Sequence, residues 1–211
     1  MNTKYFDFKD NYKKNIIDNL GYTLQNGAVG IFPTDTVYGF GCNAFDENAI
    51  KKLYKIKFRN YSKPMCILVS NLEMLNKLVE NISEEERKLI DTFWPGALTI
   101  IFKKKSIVSD LLTANLDTVG IRMPNNQIAL DLISASNIPL ATTSSNISGE
   151  TDGTNISDFL NDFNNKVDFI IDNGNSHIGK ASTIVQIIDG IPKILREGSI
   201  SKREIEDALK K

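Results

Sequence analysis

The alternation of short apolar runs with stretches of helical periodicity is the feature that most limits how this chain can fold. The apolar runs are typical of buried strands and lie at residues 28–32, 65–69, 98–102, 118–123, 138–142, 167–171, 183–188 and 193–195. Between several of them, apolar residues repeat at a spacing of three and four, which is typical of helices. We therefore predict an α/β fold in which helices flank a twisted sheet.

Turn and capping residues mark where these elements begin and end. Gly27 suits the end of the first helix, and Asp189-Gly190 predicts a hairpin between the last two apolar runs. A hairpin makes the sheet mixed, with parallel and antiparallel strands. No linker-like change in composition divides the sequence, so residues 1–211 are predicted to form one domain. Helix starts are predicted at Asp46, at Asn71 and at two capping boxes, Ser83 with Glu86 and Ser201 with Glu204.

The composition argues against several classes of protein. Of the 211 residues, 41% are hydrophobic and 24% charged, and the net charge of −1 gives no overall attraction to nucleic acid or membranes. No apolar run approaches the ~18 residues of a membrane span. The N-terminal residues lack the apolar core of a signal peptide. Cys42 and Cys66 lack metal-binding spacing, so we expect unpaired thiols and a cytoplasmic protein.

The stretch Ile31–Gly41, I-F-P-T-D-T-V-Y-G-F-G, combines a strand end with small hydroxyl side chains. Pro33 cannot donate to a strand ladder, so regular pairing should end there. Tyr38-Gly39-Phe40-Gly41 is then expected to turn the chain back, with two glycines that are free to take positive φ. Such a turn after a buried strand favours a ligand site at the carboxyl ends of the strands. A tight loop with capping hydroxyls would have the same pattern.

Basic residues are concentrated after the second predicted helix begins, and no acidic residue occurs from 48 to 72. The first of them lie on the helix and are typical of a solvated surface. Lys57, Arg59 and Lys63 lie at its end and in the following turn, where their charges can converge on one anion. Arginine binds a phosphate through two hydrogen bonds and lysine adds a point charge, so we predict a phosphate or triphosphate site. The full run is Lys51, Lys52, Lys55, Lys57, Arg59 and Lys63.

Two arginines lie in apolar strands, where an unpaired charge would be unfavourable. Arg122 lies within V-G-I-R-M-P, and Arg196 lies near the end of I-L-R-E-G. Side chains alternate along a strand, so Arg122 points away from its apolar neighbours. Each arginine requires an anionic ligand or an acidic partner. Structural ion pairs could be formed by Asp117, Asp189 or Glu197.

Hydroxyl side chains gather at residues 142–149, T-T-S-S-N-I-S-G, after an apolar strand. They can donate to a phosphate or to an amino acid without adding charge. A Ser- and Asn-rich turn that satisfies its own backbone has the same composition. Arg122 is expected to face this segment, together with the loops that carry Thr36, Thr142 and Ser182.

Several catalytic classes lack their motifs in this sequence. The glycines form neither a Walker loop nor a Rossmann fingerprint. His177 is the only histidine and lies in a polar segment, so no triad can be argued around it. Ser144 has no evident base, which argues against covalent catalysis.

Seven segments with distinctive residues follow one another over about residues 13–200. They read P-T-D-T-V-Y-G-F-G, K-F-R-N-Y-S-K-P, F-W-P-G-A-L-T, V-G-I-R-M-P, T-S-S-N-I-S-G, S-T-I-V and L-R-E-G. Together, and in this order, they resemble the motifs of the YrdC family of threonylcarbamoyl-AMP synthases. The sequence departs from the family pattern at four positions: Phe58 replaces a small residue, Leu68 a histidine, Ser145 an alanine and Gln186 an aspartate.

The resemblance implies an enzyme that joins L-threonine, bicarbonate and ATP into threonylcarbamoyl-AMP and releases pyrophosphate. A downstream transferase complex would use the product to form threonylcarbamoyladenosine at position 37 of tRNA, with a weak tRNA contact as a further expectation. Catalysis would come from positioning and charge stabilisation, with Lys57 and Arg59 as the expected catalytic residues. By motif match, the ATP site comprises Lys57, Arg59, Lys63, Thr118, Ser144, Asn146 and Arg196, and the threonine site comprises Thr36, Arg122, Thr142 and Ser182.

The resemblance also implies a metal ion and leaves two other functions open. Magnesium is expected to bridge the phosphates of ATP and to keep mostly water ligands, without protein ligands. The chain could instead be an RNA- or ribosome-binding module, although the net charge is −1 and there is little aromatic interleaving. It could also be a relative that has lost the synthase activity. The intact K-x-R and S-x-N motifs argue against this alternative.

Overall fold

The computed structural model of the protein describes residues 2–144, 154–158 and 160–210. Within these ranges the chain has the predicted α/β fold. The strands are β1 (Lys4–Asp7), β2 (Gly30–Phe32), β3 (Gly39–Asn43), β4 (Cys66–Leu68), β5 (Leu98–Lys103), β6 (Thr118–Arg122), β7 (Leu140–Ser144), β8 (Phe169–Asp172), β9 (Thr183–Ile188) and β10 (Ile191–Arg196). The α-helices are α1 (Lys14–Gln25), α2 (Glu47–Ile56), α3 (Leu72–Leu78), α4 (Glu84–Phe93), α5 (Asp110–Thr113), α6 (Gln127–Ser136), α7 (Leu160–Phe163) and α8 (Lys202–Leu209), and a short 3-10 helix spans Ile156–Asp158.

All of these strands belong to one sheet, which is mixed as predicted. The strand order is β1-β8-β2-β3-β7-β4-β6-β5-β9-β10. β8 is parallel to β1 and β2, β4 to β6, and β5 to β9. The remaining neighbours are antiparallel. Asp189 and Gly190 form the predicted hairpin turn between β9 and β10, and their φ angles of 50° and 77° are those that a two-residue turn requires.

The helices begin at the predicted capping residues. Asp46 accepts hydrogen bonds from two backbone amides at the start of α2, and Asn71 caps α3. Both predicted capping boxes form, at the starts of α4 and α8. α1 packs against α6, and α4 packs against α8. None of the described helices is long and apolar enough to cross a membrane.

Three elements differ from the prediction. Gly39 and Gly41 were expected to turn the chain, whereas both lie in β3 and neither has positive φ. The expected glycine turn is therefore wrong, and the chain returns by antiparallel pairing of β2 with β3. Gly41 is needed for close packing, because a Cβ there would lie 2.5 Å from the ring of Phe32. The other two elements, β1 and α5, have four residues each, too few for periodicity to reveal.

The central strands present one face to the hydrophobic core and the other to a cavity. Along β6, Val119 and Ile121 are buried in the core, whereas Thr118, Gly120 and Arg122 line the cavity. The same alternation holds in β4, β5 and β9. A ligand site was expected at the carboxyl ends of the strands, but this cavity lies across the face of the sheet. In a mixed sheet the strand ends point both ways, so they do not form one common edge.

Candidate functional site

The cavity has a volume of about 490 Å³ and brings together segments that are far apart in the sequence. Its walls come from the loop between β2 and β3, from β4 to β7, and from β9 and β10. It gathers eight of the eleven residues predicted for the two substrate sites. Those eight are Thr36, Arg59, Thr118, Arg122, Thr142, Ser144, Ser182 and Arg196.

The formal charges on the cavity wall are positive. Arg59, Arg122 and Arg196 line it, and the described lining residues include no aspartate or glutamate. A cleft with one sign of charge concentrates ligands of the opposite sign. The site is therefore suited to carboxylates, bicarbonate and phosphates.

The end of α2 places Arg59 at the cavity. Phe58 N donates to Lys55 O (3.2 Å), and Arg59 N donates to Tyr54 O (3.0 Å). These are the two hydrogen bonds of a Schellman motif, with Phe58 in the left-handed position at φ 47°. The Arg59 side chain then donates to Pro64 O (2.8 Å). Burial lowers the pKa of Arg59, while Tyr54 acts in the opposite direction.

Lys57 and Lys63, the other two predicted cations of this turn, do not line the cavity. Lys63 is exposed. Lys57 is only 2% exposed, donates to Ser144 O (2.8 Å), and its Nζ lies 5.0 Å from the ring centre of Phe40 and 5.6 Å from that of Phe163. Lys57 therefore contacts the end of β7, and of the three cations only Arg59 reaches the cavity.

Two further members of the basic run, Lys51 and Lys52, form ion pairs with acids. Lys51 pairs with Glu47 (3.6 Å), and Lys52 pairs with Asp168 (2.6 Å). Residues 48–72 contain no acidic residue, but these ion pairs interrupt their positive charge in the folded protein. This finding weakens the RNA-binding alternative.

Hydroxyl groups hold the loop between β2 and β3 in place. Thr34 Oγ1 donates to Val37 O (2.6 Å) and accepts hydrogen bonds from the backbone amides of Thr36 and Val37, each at 3.3 Å. It also lies 3.0 Å from Thr36 Oγ1. Thr34 thus fixes the loop that presents Thr36 to the cavity.

Arg122 pairs with an acid that none of the sequence alternatives named. Its Nη1 donates to Asp35 Oδ1 (3.0 Å), and its Nη2 donates to Thr34 Oγ1 (3.2 Å). Arg122 is 6% and Asp35 is 3% exposed. The partner is therefore Asp35 rather than Asp117. Arg122 has an acidic partner and also faces the cavity, as predicted, so a structural and a ligand-binding role are compatible.

Ser182 connects residues assigned by motif to different substrates. Arg196 Nε and Nη2 donate to Ser182 O at 3.1 and 2.8 Å. Ser182 Oγ lies 2.8 Å from Thr99 Oγ1, in a pair of buried hydroxyls. The predicted ATP residue Arg196 and the predicted threonine residue Ser182 are therefore in direct contact.

Some residues that line the cavity were not predicted, and one predicted residue lies outside the described part of the chain. Asn146 lies outside the described residues. Thr34 and Thr99 also line the cavity and were not predicted, because Thr34 meets Arg122, and Thr99 meets Ser182, only in the folded chain. Leu68 and Gln186, where the sequence departs from the family pattern, both line the cavity.

The two cysteines are free, in agreement with the prediction. Cys42 is buried in β3, whereas Cys66 lies in β4 and lines the cavity. Burial raises the pKa of both thiols. A raised thiol pKa keeps the thiolate fraction low, so Cys66 is a poor nucleophile despite its position.

Comparison with known proteins decides the family. The family model Sua5/YciO/YrdC, described as telomere recombination, matches residues 22–198. The chain belongs to this family. A threonylcarbamoyl-AMP synthase of Pyrococcus abyssi is 40% identical over 186 residues, and one of Bacillus subtilis is 39% identical over 187 residues. Each alignment covers 88% of this chain.

Solved structures show the same fold. The crystal structure of P. abyssi Sua5 complexed with L-threonine matches with a TM-score of 0.94 and 37% identity, and it covers 98% of this chain and 61% of that one. Escherichia coli YciO matches with a TM-score of 0.85 and 25% identity, over 96% and 99% of the two chains. The chain spans about half the length of the two curated synthases, 55% and 54%.

Proposed function

We propose that the protein is a threonylcarbamoyl-AMP synthase, which joins L-threonine, bicarbonate and ATP and releases pyrophosphate. The observation that carries this proposal is the cavity where Arg59, Arg122 and Arg196, from three separate family motifs, meet without a lining carboxylate among the described residues. Every substrate is an anion or carries an anionic group, so one positive cavity suits all three. The synthases at 40% and 39% identity support the same assignment.

Threonine is proposed to bind at Arg122. A buried guanidinium offers charge-assisted hydrogen bonds to a carboxylate, and these are stronger than neutral ones. Thr36, Thr142 and Ser182 line the same cavity and offer hydroxyl groups for the rest of the amino acid. The P. abyssi relative was crystallised in complex with L-threonine, which supports this substrate.

ATP is proposed to contact Arg59, Thr118, Ser144 and Arg196. Threonine and bicarbonate would give a carbamate with loss of water, and a carbamate oxygen would attack the α-phosphorus. The new oxygen–phosphorus bond forms as the bond to the β-phosphate breaks, and pyrophosphate leaves. The protein would contribute positioning and charge stabilisation, with Arg59 at the phosphates and Lys57 acting through Ser144. The contact between Arg196 and Ser182 supports adjacent sites for the two reactants.

Magnesium is proposed to arrive with ATP. The described lining residues offer hydroxyl groups but no carboxylate, and the described part of the chain contains no group of three or more metal-binding side chains. This donor set fits an ion held by phosphate oxygens and water. Magnesium would neutralise phosphate charge there. The product would then pass to a transferase complex that modifies position 37 of tRNA, with a weak tRNA contact, in the cytoplasm.

Pyrophosphate release, measured with and without each substrate, tests this function. The wild-type protein should release pyrophosphate only when L-threonine, bicarbonate and ATP are all present. Arg122→Gln should raise the apparent KM for threonine about tenfold or more and that for ATP much less, because it removes charged hydrogen bonds to the carboxylate. Arg59→Ala should show the reverse pattern and weaken ATP binding by roughly 2 kcal/mol.

The two variants serve as controls for each other. Unchanged threonine dependence in a folded Arg122→Gln protein would contradict the threonine site, and unchanged ATP affinity in Arg59→Ala would contradict the ATP site. RNA binding at physiological salt without any pyrophosphate release would favour the binding-module alternative.

A further inference from the structure

Asp35 has one hydrogen-bonded carboxylate oxygen and one that is not. Its side chain is 5% exposed, and Oδ1 accepts from Arg122. Oδ2 is buried and has no hydrogen-bond partner among the described residues. A buried carboxylate oxygen without a donor is unfavourable for stability. Stability therefore does not explain why a carboxylate is buried at position 35. Its hydrogen bond to Arg122 offers another explanation.

The guanidinium of Arg122 is held from one side. Its Nη1 donates to the Asp35 carboxylate, and its Nη2 donates to the Thr34 hydroxyl. No other side-chain donor of Arg122 bonds to a described residue, and the residue lines the cavity. An arginine carries five N–H donors in a planar fork, so fixing part of the fork sets the direction of the rest.

The backbone around Asp35 is also fixed. Ile178 N donates to Asp35 O (3.0 Å), and Gly179 N donates to Thr36 O (2.9 Å). The Thr34 hydroxyl bonds to the amides on the other side of the same loop. Asp35 therefore cannot shift easily to follow a mobile arginine, and the arginine must adopt the position that the loop dictates.

We propose that Asp35 is a positioning residue that orients Arg122 toward the carboxylate of the amino-acid substrate. This inference rests on the proposed function. Asp35 would not touch the substrate, because it does not line the cavity. Its carboxylate would hold the guanidinium plane in the orientation that binds a carboxylate through parallel hydrogen bonds, and less orientation would then be lost on binding.

Calorimetric titration of three variants with L-threonine tests the proposal. Asp35→Ala removes the acceptor and should weaken threonine binding about tenfold or more. Asp35→Asn keeps an oxygen that can accept from Arg122 and should recover most of that loss. Asp168→Asn is the control, because it removes the charge from an ion pair with Lys52 away from the cavity, and it should leave threonine affinity unchanged. ATP affinity and the melting temperature report whether each variant is folded.

A double-mutant cycle separates positioning from a general structural role. In an Arg122→Gln background, Asp35→Ala should have little further effect on threonine affinity, because the residue through which it acts is gone. Equal losses in both backgrounds would overturn the proposal. So would a folded Asp35→Ala protein with wild-type threonine affinity.

If Asp35→Ala does not fold, Asp35→Asn decides the matter with L-threoninamide, which lacks the carboxylate. The variant should bind L-threonine a few-fold more weakly than the wild type and bind L-threoninamide equally well. A matching change for both ligands, or no change for either, would overturn the proposal. Failure of the proposed function is distinguishable, because the wild-type protein would then not bind threonine at all.

Discussion

Phe58 occupies a backbone position that normally favours glycine. It is the left-handed residue of the Schellman motif that ends α2, with φ 47°, and its side chain is 82% exposed. A Cβ is unfavourable in this conformation, and the phenyl ring gains little burial in return. Glycine, which lacks a Cβ, would relieve this strain. The strain lies directly beside Arg59, which lines the cavity.

Replacing Phe58 should separate the backbone strain from the side chain. Phe58→Gly is expected to unfold with a free energy about 1 kcal/mol higher than that of Phe58→Ala, because alanine keeps the Cβ. Urea unfolding of both variants measures the difference. Equal stability of the glycine and alanine variants would contradict a strained left-handed residue at this position.

Arg122 shows what the sequence can reveal about a single residue and what it cannot. Period-two alternation in V-G-I-R-M-P correctly predicts that the side chain leaves the core face of β6. Its partner Asp35 is 87 positions away, and the pair depends on the β2–β3 loop meeting the end of β6. No local pattern encodes that meeting. The same limit applies to Lys57, whose hydrogen bond to Ser144 O also joins residues 87 positions apart.

At the scale of elements, β1 is tied to the sheet by a buried acid. Asp172 in β8 pairs with Lys9 (2.7 Å), accepts a hydrogen bond from the Tyr5 hydroxyl, and accepts one from Gly174 N (2.9 Å). Burial alone would raise the pKa of Asp172, but these bonds outweigh it and lower the pKa below its usual 3.8. The charged form of Asp172 therefore stabilises the folded state.

The pH dependence of stability follows from the direction of this shift. A depressed carboxyl pKa contributes stability above the unfolded-state pKa, and this contribution is lost as the pH falls through the folded-state pKa. The difference in unfolding free energy between the wild type and Asp172→Asn should therefore be largest near neutral pH and shrink below about pH 4. Asp18→Asn, which removes the charge from an exposed pair on α1, should change stability by less than about 0.5 kcal/mol. A difference for Asp172→Asn that stays constant from pH 7 to acid would contradict this role.

The elements that the sequence predicted well are those with strong local signals. Capping boxes, the Asp189-Gly190 hairpin and the apolar runs depend on neighbours in the chain. The missed strand β3 depends on tertiary packing, because Gly41 makes room for the ring of Phe32. Glycine reads locally as a turn residue, whereas in β3 it is a strand residue chosen for its size.

At the scale of the whole molecule, the sheet explains why the family motifs are so widely spaced. Arg59 follows α2, Arg122 lies in β6 and Arg196 ends β10, yet all three line one cavity on the same face of the sheet. The motifs are far apart in the sequence because the elements that meet at the cavity are far apart in the chain. The described residues that line this cavity belong to a chain that spans 55% and 54% of the two synthases.

If one cavity condenses three substrates into an adenylate, the product must contain a part of each substrate, and mass spectrometry can identify it. The purified protein is incubated with ATP, Mg²⁺, L-threonine and 13C-labelled bicarbonate, and the nucleotides are analysed by mass spectrometry. We predict threonylcarbamoyl-AMP that carries the 13C label and forms in equal amount to pyrophosphate. Pyrophosphate without this adenylate, or an adenylate of threonine that lacks the label, would show that the cavity does not join the three substrates.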